Sequence, residues 1–148
     1  MAAIRFQIKV DKSGYIAPPL LTDVQLKDIG NVMVQAQKER WSHGINAQDQ
    51  KARPLAKVTA KGKATFGKNP IRDMDMTGVV RQNFTLRKWT MSNIRAENTS
   101  RAGRMHARKA QIFERMIGIS PRDRDIIFAH AYRAYGFYLQ SAWRPTNG

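Results

Sequence analysis

The chain contains no cysteine, which excludes a disulfide framework, a thiolate metal site and a cysteine nucleophile, and fits a reducing compartment. No apolar run reaches membrane-spanning length, so no transmembrane helix and no membrane partner are expected. The opening stretch from Met1 to Lys9 alternates apolar and polar residues where a signal peptide would run apolar, and none is expected there. Histidine is sparse: His43, His106 and His130 stand far apart, and no two share a helical turn, which argues against a metal site. Acidic residues are also scarce, with 11 Asp and Glu against 26 Lys and Arg, a net charge of +15. Apolar residues are not: at 42% of 148 residues they suffice for one folded domain over 1–148 without a disulfide or metal staple.

The positive charge is concentrated. Residues 51–124 hold 18 basic and 5 acidic side chains, a net of +13, while 1–50 and 125–148 each carry a net of +1. Cations confined to half of a small domain repel one another unless phosphates or acidic surfaces stand nearby, so a polyanionic neighbour is expected.

Periodicity sets out the elements. Ile4, Phe6, Ile8 and Val10 alternate with Arg5, Gln7 and Lys9 as in a strand. Asp11 to Tyr15 reads as a turn, Pro18 and Pro19 bar regular structure, and Thr22 suits the N-cap of a helix. Leu26, Ile29, Val32, Met33 and Ala36 recur at three and four, so that helix runs to about Trp41. Residues 42–75 have little apolar periodicity and many breakers, which predicts a long extended basic arm. A short helix after Thr77-Gly78, a pair of antiparallel strands at Phe84–Trp89 and Ile94–Glu97, and a helix from Arg101 to Met116 follow. Ser120-Pro121-Arg122-Asp123 is a strong helix start, and apolar residues from Ile126 to Leu139 predict one long helix over 121–142. Such a helix, apolar nearly all round, is buried on more than one side. Its second cover is either the domain's own core or another subunit, across Phe128, Tyr132, Tyr135, Tyr138 and Leu139. The fold class is α+β, with helices packed on a small antiparallel sheet.

Catalytic signals are weak. Gly62 to Lys68 matches most of a phosphate-binding loop, but Asn69 stands where the magnesium-binding hydroxyl belongs and Pro70 interrupts the helix that should follow. Asp73 and Asp75 flank Met74 with no histidine or third carboxylate beside them, which fits loop or helix-entry roles over acid-base chemistry. No catalytic residue, cofactor, metal or small-molecule substrate is expected. What remains is electrostatic: Lys57, Lys61, Lys63, Lys68 and Arg72 in the arm, and Arg101, Arg104, Arg108, Lys109 and Arg115 further on. Arg101, Arg104, Arg108 and Arg115 share one helical stripe. These ten suit phosphates or acidic protein surfaces equally, and without a base-reading signature any nucleic-acid contact is sequence-nonspecific.

The order of features resembles a known family. A basic loop with Arg53-Pro54-Leu55, a Pro70-Ile71-Arg72-Asp73 segment leading to Thr77-Gly78, a two-stranded stretch and Met116-Ile117-Gly118-Ile119-Ser120-Pro121-Arg122-Asp123 before the last helix are similar to the virion morphogenesis proteins of tailed bacteriophages. The likeness covers roughly residues 22–142, and departs where Met76 precedes Thr77 and where Ile119 stands, both leucine in the family pattern. The resemblance implies a non-enzymatic tail-completion, tail-terminator or head-tail joining subunit of the virion neck, synthesised in the host cytoplasm. It further implies a homo-oligomeric ring between adjacent neck and tail proteins, with genomic DNA passing transiently through the lumen. Charge alone supports a different expectation, a nonspecific nucleic-acid-binding protein.

Overall fold

The computed structural model describes residues 4–10, 21–74, 78–90, 93–113, 115–135 and 139–143. In chain order these form β1 (Ile4–Val10), α1 (Asp23–Ser42), α2 (Lys57–Thr65), α3 (Val79–Gln82), β2 (Phe84–Thr90), β3 (Asn93–Asn98), α4 (Arg101–Phe113), α5 (Pro121–Tyr135) and β4 (Leu139–Trp143). The turn expected over 11–15, with Pro18 and Pro19, lies outside the described residues.

The fold is α+β, built on an antiparallel sheet of order β2-β3-β1-β4. β1 sits inside the sheet, with Phe6 opposite Ile94 of β3 on one side and Ile8 opposite Ser141 of β4 on the other. In β3, Ile94, Ala96 and Asn98 are buried and alternate with half-covered neighbours, so one face of the sheet meets the helices. The β2 ladder shifts register between Leu86 and Lys88, a bulge that leaves Arg87 as the extra residue.

α1 covers this face and also packs on α5. It starts at a capping box: Thr22 Oγ1 accepts from the Gln25 amide at 3.2 Å, and Gln25 Oε1 accepts from the Thr22 amide at 2.9 Å. Leu26, Ile29, Met33, Gln37, Arg40 and Trp41 follow helical spacing along its buried stripe. Trp41 meets Phe84 edge to face at 5.0 Å in the centre of the core.

Two expectations need correction. The segment 42–75 is not an extended arm. Its first part folds into a compact turn in which Asn46 Oδ1 accepts from the amides of Gln48 and Gln50, and the Ala47 amide donates to the Arg115 carbonyl. Side-chain hydrogen bonding of Asn to nearby backbone replaces apolar periodicity as the ordering force, which is why the pattern looked structureless. Its second part contains α2. Nor is 121–142 one helix: α5 ends at Tyr135, and Leu139–Trp143 instead completes the sheet as β4 against the edge of β1. Pairing with β4 gives the backbone groups of this β1 edge protein partners that an open edge would leave to water, and Gly136 in the sequence is a residue type that ends helices. Among the described residues no helix is long and apolar enough to cross a membrane.

Candidate interaction surface

Among the described residues, a heavily bonded polar group in the interior is one the sequence did not single out. Arg40 is 4% exposed. Its Nε donates to Asp123 Oδ2 at 2.9 Å, Nη1 to the Ile45 carbonyl at 3.1 Å, and Nη2 to the carbonyls of Met116 and Gly118 at 3.2 and 2.7 Å. Gln37 Nε2 donates to the same Gly118 carbonyl and Trp41 Nε1 to Met116, at 2.9 and 2.8 Å. The run Met116 to Ser120 is buried throughout. Asp123 also completes a capping box, accepting from the Ser120 amide while Ser120 Oγ accepts from the Asp123 amide. The Met116–Asp123 motif is therefore a clamp joining the turn, α1 and α5, buried from Met116 to Ser120 and at Asp123, with Pro121 and Arg122 facing out. Its sequence signal was available: Arg40 lies on the three-and-four spacing of the buried stripe.

A second cluster ties α1 to α5. Asp28 Oδ2 accepts from the Tyr135 hydroxyl at 2.7 Å and lies 2.6 Å from His130 Nε2. The bonds from His130 and then Tyr135 hold the Asp28 carboxyl below its ordinary range, and the carboxylate holds the Tyr135 phenol above its own. The three side chains close the seam between the helices. Among the described residues no group of three or more His, Asp or Glu is placed to hold a metal ion.

The basic residues separate into two kinds. Lys63 leaves the expected phosphate-facing set: it is 3% exposed, its Nζ donating to Asp73 Oδ1 and to the Ile71 carbonyl. A buried ammonium requires such a partner, and helical placement turned this one lysine inward. Arg104 caps the end of β3, its Nη1 donating to the carbonyls of Asn98 and Thr99 at 3.2 and 3.0 Å. Arg72 Nε donates to the Arg53 carbonyl at 3.1 Å. Arg115 falls beyond the end of α4, so the expected stripe stops at Arg108, and Lys68 and Arg115 are half-buried. Lys57 and Lys61 on α2, and Arg101, Arg108 and Lys109 on α4, do face solvent. α4 rests on β3 and α3, whereas α2 is anchored through Lys63.

No family model, curated protein or solved structure matches the chain. Its surface must then be read from its own chemistry. Of the residues expected to form a subunit interface, Phe128 packs half-buried against the core and Tyr135 is engaged with Asp28. Tyr132 is 50% exposed. Leu139 opens β4, and Tyr138 lies outside the described residues. Among the described residues the apolar side chains most open to water lie elsewhere, at Val24 on α1 and at Val58 and Phe66 beside the α2 lysines, the latter two in a stretch the sequence pattern had passed over as loop.

Proposed function

We propose that the chain is a non-enzymatic structural subunit of a tailed-phage neck or tail, a tail-completion, tail-terminator or head-tail joining ring component. One observation carries this reading: the contrast between what the fold bonds internally and what it displays. All eight carboxylates among the described residues have a partner within the chain, and two of them, Glu39 and Asp125, stay 73% and 72% exposed. Asp23 accepts from Trp89, Asp28 from Tyr135, and Asp49 from the Arg122 amide; Glu39 meets His43, Asp73 Lys63, Glu97 Arg95, Asp123 Arg40 and Asp125 Arg124. Lys57, Lys61, Arg101, Arg108 and Lys109 face outward, as do the apolar Val58, Phe66, Met105 and Tyr132. A surface with this much exposed cation and grease favours anionic company and coverage by neighbours, which a ring around DNA and between other rings supplies. The motif order from Arg53 to Asp123 supports the same assignment. Light scattering and electron microscopy of the purified chain, alone and mixed with tails or connectors, test it: rings or capped tails are expected, and a strict monomer under every condition refutes it.

The exposed arginines and lysine of α4 favour a second reading, sequence-nonspecific nucleic-acid binding. Its signature is a steep fall of log K with log salt, and absence of binding at about 50 mM salt removes it.

A further inference from the structure

We infer that the outer face of α2 is a docking face for an acidic, apolar surface of a different protein; this rests on reading the chain as an assembly subunit and specifies the chemistry of one neighbour. α2 is poorly supported by its own sequence. The N-cap, Ala56, offers no side-chain acceptor, Lys57 places a cation at the positive end of the helix dipole, and Gly62 sits mid-helix. Nine residues of this composition do not hold a helix alone in water. Its buried anchor is Lys63, bonded to Asp73 and to the Ile71 carbonyl, and among the described residues α2 buries no apolar side chain.

Val58, Gly62 and Phe66 recur every four residues and so share one stripe. Val58 is 85% and Phe66 75% exposed, and Gly62 between them has no side chain to fill the gap. Lys57 and Lys61, again four apart, run alongside. No acidic residue occurs between Gln50 and Arg72. The complementary surface is apolar knobs flanked by carboxylates. A second copy does not provide it: each copy carries the same net charge of +15, and like-charged faces repel. The groove between α1 and α5, about 670 Å³, has Val32, Ile126 and Ala129 on its walls, but Arg122, His130 and Arg133 line it too, and its Asp125 is already paired with Arg124. Duplex DNA has no apolar surface to cover Val58. A single strand would stack on Phe66 alone.

The test uses the full chain and a fluorescein-labelled helical peptide with a leucine stripe flanked by glutamates, read by anisotropy. Polyglutamate, the Glu→Gln peptide and an oligothymidylate serve as comparison probes. Binding of the acidic peptide is expected to weaken about tenfold or more in both Val58→Ser/Phe66→Ser and Lys57→Glu/Lys61→Glu. All four side chains are exposed, so both variants should keep the wild-type circular dichroism. Polyglutamate and the neutral peptide should bind more weakly than the acidic peptide. No peptide binding by the wild type, or wild-type affinity in either variant, overturns the assignment. So does oligothymidylate binding that is lost in Val58→Ser/Phe66→Ser, which makes the face a nucleic-acid platform, or self-association lost in the same variant, which makes the occupant a second copy. Peptide binding without any ring or tail capping refutes the proposed function and leaves the α2 assignment standing. Capping with unaltered peptide binding in the variants refutes the α2 assignment alone.

Discussion

Arg40→Met is the sharpest probe of what holds the molecule together. The substitution keeps much of the aliphatic stem and removes every guanidinium hydrogen bond. Asp123 then keeps the Ser120 amide, and the carbonyls of Ile45 and Met116 lose a donor in the interior. Gly118 still receives Gln37, and Met116 still receives Trp41, so part of the loss is covered. Breaking a buried ion pair from one side costs about 3–5 kcal/mol. At this chain length that corresponds to a melting temperature lower by roughly 6–20 °C. Urea denaturation followed by tryptophan fluorescence gives the value directly, since Trp41 lies beside the lost guanidinium. A double-mutant cycle with Asp123→Leu sharpens it: the pair removed together should cost less than the two single losses added. A loss under about 1 kcal/mol for Arg40→Met would show that the clamp contributes little and refute this account of the core.

Other substitutions read individual devices. Ser120→Ala, which removes one half of the α5 capping box, should cost about 1 kcal/mol in urea titrations, and no change would mean that the hydroxyl cap adds nothing to the Asp123 contacts with the residue-120 amide and Arg40. Lys63→Met should free α2, seen as faster amide exchange over 57–65, and pairing it with Asp73→Leu should restore the wild-type thermal midpoint more than it restores α2. Because the folded state lowers the Asp28 carboxyl below 3.8, its contribution is fully present above that pH and is lost as pH falls through the depressed value. Asp28→Asn should therefore flatten the acid limb of a stability-versus-pH curve, and an unchanged limb counts against the seam. Tyr132→Asp, at the most open of the expected interface aromatics, should block ring formation while leaving the monomer folded; particles that still form would show that this face is free.

What lay in short stretches of chain was legible without coordinates. Thr22 and Ser120 each carry a hydroxyl a few residues before a glutamine or aspartate that bonds back, and such reciprocal caps are decided by nearest neighbours. The alternation in Ile4–Val10 and Asn93–Asn98 likewise marks strands by a local period. The exposed basic residues of α4 were legible for the same reason. Tertiary structure decided the rest. Leu139–Trp143 has apolar residues that suit either a helix or a strand, and the open edge of β1 chose the strand. Lys63 differs from Lys57 and Lys61 in no local property; it is buried because Asp73, ten residues away, meets it. Arg40 becomes a core residue only because carbonyls and a carboxylate from 45 to 123 converge on it. A side chain's charge and reach are written in the sequence, but whether it meets a partner or water depends on segments far away in the chain, and that is settled only when they pack.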